Sequence, residues 1–458
     1  MNYHKKAILW TVLSSFVLIG CTNQGSPSNK SEQNKEVKAV DSTAAAVDSS
    51  VVKSDSIVAD SVVVTEEPKD LIVNFACDTI QGKVTRRAHP PVKGIYVSGP
   101  IAGHHRFKDL LRMVDNTELN AMVIDVKNDN GEVTYKMDCG LVNELGVSRR
   151  YIRDIHALLD TLHKKGIYVI GRVVTFRDPM LSQKKQSWCV HRKDGSIYKD
   201  RSGLSWVNPY NREYWRYIIG IGVRAAFDGF DEIQFDYIRF STEVKDSEVN
   251  YEFDSKTLTK RQIITEFVKY SAERMSAHNI EFSADVFGTV IDNDVDSRDV
   301  GQDYVQMGKY ANTLSPMVYP SHYNKMVYRL DIPNNHPYKA VLSALKASKR
   351  VLDTLSVSER PNVRAWLQDF SAPWVAGAHK YTPADVRAQI QAVYDAGYDE
   401  WLLWNASIRY RESALKSATG KLDSSLVNQV EKKEKADSFA VKTEKKKEKL
   451  TDSILVKK

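Results

Sequence analysis

Strand and helix patterns alternate between about residues 90 and 415, and this alternation constrains the fold most. Eight strands that alternate with helices predict an α/β fold and, more narrowly, a (β/α)8 TIM barrel over residues 90–415. A doubly wound open sheet is the alternative, but no glycine-rich dinucleotide-binding motif follows the first strand to favour it. The predicted strands are Gly94–Ser98, Ala121–Lys127, Ile167–Val174, Glu232–Asp236, Glu281–Phe287, Thr313–Tyr319, Val363–Asp369 and Glu400–Asn405.

Amphipathic segments between these strands predict the helices. Three of the segments end at a glycine (Gly166, Gly229 and Gly397), which is the residue type that most often terminates a helix. Pro383 suits the first turn of a helix, with Thr382 as its N-cap. The predicted helices are Arg106–Asn116, Tyr151–Lys165, Arg212–Phe227, Thr259–His278, Gln302–Lys309, Lys339–Leu352 and Pro383–Ala396.

The fourth predicted strand has an unusual polar face. Glu232, Gln234 and Asp236 lie on one side of it and the apolar Ile233 and Phe235 on the other, because strand side chains alternate with a period of two. Within a large α/β domain such a polar row needs partners, since each unpaired buried polar group costs roughly 1–3 kcal/mol. The row therefore predicts an active-site strand that ends at Asp236.

Polar residues also end most of the other strands, and barrel active sites lie at these carboxyl ends. Carboxylates follow or end strands two, four, five and seven. Glycoside hydrolysis requires one protonated and one ionised carboxyl group, so this set favours that chemistry, with structural salt bridges across the barrel as the alternative. The candidate site residues are Asp125, Lys127, Arg172, Asp236, Arg239, Asp285, Tyr319, Gln368, Asp369, Trp404 and Asn405.

Seven ordered blocks carry a family resemblance: KGIYVSG, VIDVKNDNGEV, YVIGRVVTFRDP, WVNPY, FDEIQFDYIRFS, SADVFG and SPMVYPSHY. They resemble a bacterial domain family described as a "putative glycoside hydrolase domain", first known as a domain of unknown function and related to alpha-amylase-like barrels. The resemblance covers about residues 92–410. It implies a barrel glycosidase that hydrolyses an oligo- or polysaccharide. Separately, we expect no cofactor and no metal.

The resemblance also implies roles for the site residues. Asp236, at the end of strand four, would be the nucleophile or charge stabiliser, and Asp285, on strand five, the general acid/base. Two features depart from the alpha-amylase pattern: Gln234 replaces an arginine, and the acid on strand five is Asp rather than Glu. The remaining expectations are that Asp125 and Asp369 bind sugar hydroxyls or tune pKa values, that Lys127, Arg172 and Arg239 keep Asp236 ionised, and that Gln368, Tyr319, Trp404 and Asn405 contact the sugar.

The first 21 residues read as a targeting segment. Lys5 and Lys6 precede an apolar run that is too short for a transmembrane helix, and the run ends in Leu18-Ile19-Gly20-Cys21. This resembles a bacterial lipobox, in which Cys21 is lipidated and anchors the protein to a membrane. An ordinary signal peptide or a weak apolar anchor is the alternative. Thr22 is no inner-membrane retention signal, so we expect the cell envelope, at the outer membrane or cell surface.

Low-complexity segments flank the predicted barrel. Residues 22–68 hold no aromatic residue and predict a disordered tether, and residues 421–458 form a tail with 11 lysines and 7 acidic residues. The net charge of the whole chain is +7, of which this tail supplies more than half, so a nucleic-acid-binding surface is not indicated. We expect a monomer.

Three cysteines remain once Cys21 is assigned to the lipid. Cys139 and Cys189 both fall in predicted loops at the same end of the domain, so a disulfide between them and buried free thiols are both compatible with the sequence. Cys77 is the third.

Two other function classes remain open. A non-catalytic glycan-binding lipoprotein would keep the aromatic residues and some of the carboxylates. A metal-dependent hydrolase would need a cluster of His and Asp ligands, which the sequence does not present.

Overall fold

The structure, a computed structural model, describes residues 80–429 of the 458-residue chain. The predicted signal peptide with Cys21, the predicted tether at residues 22–68, Cys77 and the tail beyond residue 429 lie outside the described residues. Among the described helices, none combines the length and the apolar composition that crossing a bilayer requires.

Eight parallel strands pair side by side and close into a barrel. Each barrel strand pairs with the next one along the chain, and the last pairs with the first, where Lys93 lies opposite Trp401. The predicted (β/α)8 barrel is therefore confirmed, and the predicted strand ends are correct to within two residues. The barrel strands are β1 Lys93–Val97, β2 Ala121–Lys127, β3 Tyr168–Val174, β4 Glu232–Asp236, β5 Glu281–Phe287, β6 Thr313–Met317, β7 Asn362–Gln368 and β8 Glu400–Trp404.

Helices cover the outside of the barrel and pack on the apolar face of the strands. Phe235 on β4, for example, contacts Phe267 of the helix Lys260–Ala277, with ring centroids 5.8 Å apart. Gly229 ends the helix Arg212–Asp228 at a φ of 118°, as predicted. The α-helices are Gly99–Ala102, Phe107–Asn116, Gly140–Leu145, Ile155–Lys164, Leu181–Lys184, Arg212–Asp228, Lys260–Ala277, Asp294–Val300, Tyr304–Gly308, Pro337–Leu352 and Pro383–Asp395.

The inner face of the barrel is polar at its amino-terminal end. The Arg364 guanidinium lies between Glu232 and Glu400, at 2.8 Å from each carboxylate. Ser283 and Tyr168 donate further hydrogen bonds to Glu232, at 2.5 and 3.2 Å. We call these five residues the floor network. One layer above it, Gln234 donates to Ser315 at 3.1 Å, so the polar row predicted on β4 does face the barrel interior.

The structure adds elements that the sequence patterns did not predict. After β2, the strand Val133–Tyr135 pairs antiparallel with β2 and parallel with Ser148–Ile152. The predicted helix at Tyr151 consequently begins only at Ile155, where Asp154 caps it by accepting the N–H of Ala157 at 3.0 Å. A second small sheet pairs His191–Arg192 with Val249–Asn250.

Cys139 and Cys189 do not share one state in the structure. Cys189 is a buried free thiol, and Cys139 is disulfide-bonded. A disulfide between Cys139 and Cys189 is therefore wrong. Burial raises the pKa of the Cys189 thiol to about 12, which keeps it protonated and unreactive at neutral pH.

Candidate active site

A buried arginine organises the carboxyl end of the barrel. Arg172 on β3 donates from Nη1 to Asp125 on β2 at 2.7 Å, and from Nη2 and Nε to Asp236 on β4 at 2.7 and 3.0 Å. Asp129, in the loop after β2, lies 3.3 Å from the same guanidinium. Together with Asp285 on β5 these residues form what we call the mouth cluster. The predicted site residues Asp125, Arg172, Asp236 and Asp285 are thus brought together.

Asp236 is held on both of its carboxylate oxygens. Oδ2 accepts the two Arg172 hydrogen bonds, and Oδ1 accepts the backbone N–H of Tyr237 at 2.6 Å. Burial would lower the pKa of Arg172, but Asp129, Asp236 and Asp125 outweigh it and hold that pKa well above the ordinary value. The guanidinium is therefore permanently charged, and its two hydrogen bonds fix the orientation of the Asp236 carboxyl group.

Asp285 has the opposite surroundings. Its side chain is only 1% exposed, and its one hydrogen bond within the described residues is from Trp366 Nε1 to Oδ1, at 2.8 Å. Burial and the charge of Asp236 raise the Asp285 pKa well above the ordinary value, although the Trp366 hydrogen bond and Arg172 oppose the shift. Two neighbouring carboxyl groups thus differ in environment, and the protonated state is favoured at Asp285.

Asp125 and Asp129 also differ from each other. Burial raises the pKa of Asp125 to about 6, with Arg172 and a 2.7 Å hydrogen bond from Tyr96 Oη acting against it. Asp129 is partly exposed. Burial would raise its pKa, yet Arg172 and Arg177 together bring that pKa below the ordinary value. Asp129 therefore contributes a stable negative charge at the rim.

Aromatic rings line the mouth cluster. Tyr96 and Trp404 stack with their centroids 4.2 Å apart, and the Arg172 guanidinium lies 5.5 and 5.4 Å from the two rings. Tyr319 is buried nearby, and its pKa is raised by burial and then by the charges of Asp285 and Asp236. These apolar surfaces suit the C–H faces of a sugar ring.

Aromatic residues continue outward from Tyr319. Phe370 packs against Tyr319 with centroids 5.9 Å apart and stacks on Trp374 at 6.1 Å. The Trp374 side chain is exposed. The aromatic surface therefore extends from the carboxyl groups to solvent.

Four of the predicted site residues make other contacts. Lys127 was expected beside Asp236 but instead pairs with Asp178 at 3.0 Å, with both side chains fully buried. Gln368 accepts the N–H of Ser321 at 3.0 Å and donates to Asn334 at 3.1 Å. These contacts fix the loops around the mouth rather than its charges.

Asp369 and Asn405 likewise hold a loop in place. Asp369 forms an ion pair with Arg411, and burial raises the Asp369 pKa to about 6. Asn405 donates to the backbone oxygen of Arg409 at 2.8 Å and accepts the N–H of Ser407 at 2.9 Å. Both residues support the segment that follows β8.

Arg239 lies at the mouth without touching Asp236. Its guanidinium packs against the rings of Trp206, Tyr237 and Phe287. The expected ion pair of Arg239 with Asp236 is not formed, although the two charges influence each other through space.

Sequence reasoning missed four residues of this site: Tyr96, Asp129, Arg177 and Trp366. Trp366 and Gln368 share a face of β7, so strand alternation alone would have placed Trp366 inside the barrel. Asp129 and Arg177 lie in loops, where spacing gives no such signal. Within residues 80–429, no three His, Cys, Asp or Glu side chains are arranged to hold a metal ion.

One family model and several solved structures are similar to this chain. Residues 94–410 match the domain family described as "Putative glycosyl hydrolase domain". The chain is similar to the glycoside hydrolase domain of PgaB (BpsB) from Bordetella bronchiseptica, at 12% identity and a TM-score of 0.50, over 69% of this chain and 94% of that one. This likeness concerns the fold.

Two further solved structures are similar at lower TM-scores. A hypothetical protein from Ruminiclostridium thermocellum ATCC 27405 is 37% identical, with a TM-score of 0.39, over 42% of this chain and 97% of that one. Aspergillus fumigatus Ega3, solved in complex with galactosamine, is 12% identical, with a TM-score of 0.39, over 72% and 100% of the two chains. No curated protein sequence matches the chain.

Proposed function

Since the chain belongs to the family of glycosyl hydrolase domains that matches residues 94–410, we propose that it hydrolyses the glycosidic bonds of an oligo- or polysaccharide. The observation that carries the proposal is the contrast between two carboxyl groups at the mouth. Asp236 accepts charged hydrogen bonds from Arg172, whereas Asp285 is buried against the indole of Trp366. Glycosidases require such a pair.

In this proposal Asp285 is the general acid. Its proton passes to the glycosidic oxygen as the bond to the leaving sugar breaks. The Asp236 carboxylate lies against the oxocarbenium-like centre that develops and stabilises its positive charge. Arg172 holds the Asp236 carboxyl group in position throughout. Asp236 acts either as nucleophile or as the base that activates water, and the anomeric configuration of the first product, read by NMR, separates these two roles.

The raised pKa of Asp285 predicts the pH dependence of the reaction. A general acid acts only while it is protonated, so activity is lost as the pH rises through the pKa of Asp285. Because burial and Asp236 raise that pKa, the loss should occur at a higher pH than an ordinary aspartate would allow. A rate profile that falls near the ordinary aspartate pKa would contradict this assignment.

The test of the function is release of reducing ends from a panel of bacterial and host polysaccharides by the full-length protein in detergent. Asp236→Asn and Asp285→Asn are compared with Asp395→Asn, an exposed aspartate at the end of the helix Pro383–Asp395, on the far side of the barrel. We expect release by wild type and Asp395→Asn but not by the two mouth variants. Equal release by all four proteins would remove both carboxyl groups from the mechanism.

A glycan-binding lipoprotein without activity is the second candidate, and the exposed stack of Trp374 on Phe370 favours it as a sugar-binding surface. The same panel separates the two candidates. Glycan binding by wild type without release from any polysaccharide, and with binding unchanged in Asp285→Asn, would support binding over catalysis.

We also propose that Cys21 carries a lipid that anchors the protein in the cell envelope, at the outer membrane or cell surface. The lipobox-like run before Cys21 supports this proposal. Labelling of cells with a fatty-acid analogue should mark the wild-type protein and not Cys21→Ala. Equal labelling of both proteins, or of neither, would contradict lipidation at this residue.

A further inference from the structure

Arg239 is a cation at the mouth that lacks a counter-ion. An arginine has five N–H donors, and within the described residues only one protein acceptor contacts Arg239: the backbone oxygen of Phe240, at 2.9 Å from Nη1. No carboxylate of residues 80–429 forms an ion pair with it. None of its nitrogens is among the fully buried side-chain atoms without a partner, so the donors that are not bonded keep some access to solvent in this partly buried side chain.

The guanidinium is nevertheless held in place. Trp206, Tyr237 and Phe287 surround it, with ring centroids 4.9, 4.9 and 4.4 Å from its central carbon. Tyr237 takes a φ of 54°, a conformation that costs a non-glycine residue about 1–3 kcal/mol and is found mainly at functional sites. The backbone is thus strained at the residue whose ring supports Arg239.

The position of Arg239 relates it to both proposed catalytic residues. Tyr237 directly follows Asp236, and Phe287 lies two residues beyond Asp285 on the same face of β5. Arg239 therefore packs on rings that extend from the ends of the two catalytic strands, where a sugar adjacent to the cleaved bond would lie.

The other two arginines of the mouth are already neutralised. Arg172 contacts Asp125, Asp129 and Asp236, and Arg177 pairs with Asp129 and Asp200. Asp129 is the most exposed carboxylate of the mouth cluster, and both of these guanidiniums hold it. Of the three arginines at the mouth, Arg239 is therefore the one that no carboxylate of residues 80–429 engages.

We propose that Arg239 binds a carboxylate of the substrate, which makes the substrate a glycan that contains uronic acid residues. The inference rests on the proposed function of the mouth. The planar fork of a guanidinium matches a carboxylate through two parallel hydrogen bonds. An acidic sugar would otherwise be repelled by the aspartates of the mouth cluster, so the free arginine also makes its approach to Asp236 and Asp285 favourable.

The first test measures binding and needs no hydrolysis. Binding of D-glucuronate and of D-glucose to the full-length protein is followed by ligand-observed NMR at low ionic strength. The matched control is Arg212→Gln, because Arg212 also packs on a tryptophan, at 4.7 Å from Trp215, but has carboxylate partners in Asp254 and Glu266. Circular dichroism spectra confirm that the variants are folded.

Wild type and Arg212→Gln should bind glucuronate at least about tenfold more tightly than glucose, since a charge-assisted bidentate contact contributes that much. In Arg239→Gln this preference should disappear. The same preference in Arg239→Gln as in wild type, or no preference in wild type, would overturn the inference.

The second test separates this inference from the proposed function. Uronate oligosaccharides and their carboxyl-reduced neutral counterparts are offered as substrates, and the ratio of the two kcat/KM values is compared between wild type and Arg239→Gln. A wild-type ratio of uronate to neutral kcat/KM that is above one, and that falls toward one in Arg239→Gln, supports the inference. Hydrolysis with equal ratios overturns the inference but leaves the glycosidase intact, whereas glucuronate binding that depends on Arg239 without any hydrolysis supports the inference and contradicts the proposed function.

Discussion

The floor network and the mouth cluster are two buried charged groups in one barrel, and both are built around an arginine. At the floor, each oxygen of Glu232 accepts two hydrogen bonds, from Arg364 with either Ser283 or Tyr168. At the mouth, Arg172 contacts three aspartates, while a fourth, Asp285, receives only an indole N–H. Both carboxylate oxygens of Glu232 thus have hydrogen-bond donors at the floor, whereas at the mouth Asp285 has a donor on one oxygen within the described residues.

The floor network and the mouth cluster differ in their chemical role. The ion pairs and hydrogen bonds of the floor network hold the amino-terminal ends of the strands together. At the mouth, burial and then the charge of Asp236 raise the pKa of Asp285 and so favour its protonated form. The same strands thus carry a stabilising layer and a chemically active layer.

The largest effect on stability is expected from Arg364→Gln. The substitution leaves Glu232 and Glu400 buried without their charged partner, which should lower the free energy of unfolding by about 3–5 kcal/mol. Urea denaturation at neutral pH measures this change. Arg212→Gln removes an exposed ion pair and should lower it by at most about 1 kcal/mol. Equal losses in the two variants would mean that the floor network is not a stabilising layer.

The same substitution at the mouth should act mainly on activity. Arg172→Gln removes the charged donors that hold Asp236, and we expect kcat/KM to fall about 10²–10³-fold, as for loss of a preorganised electrostatic contact. Its effect on unfolding should be smaller than that of Arg364→Gln, because Asp125 has a pKa of about 6 and can accept a proton instead. Initial rates and urea denaturation test both statements. If Arg172→Gln were as active as wild type but much less stable, Arg172 would have the same stabilising role as Arg364, and the mouth would not be the chemically active layer.

A smaller and more specific effect is expected from Trp366→Phe. The indole N–H lowers the pKa of Asp285, so its removal should raise that pKa and move the high-pH limb of the rate profile to a higher pH. The control is Trp401→Phe, which loses an indole N–H that is bonded to Tyr394 on the outside of the barrel, and which should leave the limb in place. A limb that stays fixed in Trp366→Phe, or moves to a lower pH, would exclude Asp285 as the general acid.

The fold could be predicted closely because the barrel strands are short, apolar on one face and separated by helices with clear caps. The polar row on β4 identified the inner face, and with it Asp236. These signals are local in the sequence, and the strand bounds predicted from them agree closely with those of the structure.

The site was less predictable, and Lys127 illustrates the reason. Asp125 and Lys127 are two residues apart and were expected on one face, but the pairing of β2 with β3 shifts register between them. Such an irregularity breaks the two-residue alternation of a strand. Lys127 consequently pairs with Asp178, a partner from the loop after β3 that no spacing rule could have supplied.

The measurement that tests the account most directly is the infrared difference spectrum between wild type and Asp285→Asn, recorded over a pH titration without substrate. If the mouth holds one protonated and one ionised carboxyl group, the carbonyl band of a protonated carboxyl group that is absent from the variant should persist at pH values where ordinary aspartates are ionised. A band that disappears near the ordinary pKa of 3.8 would contradict the account.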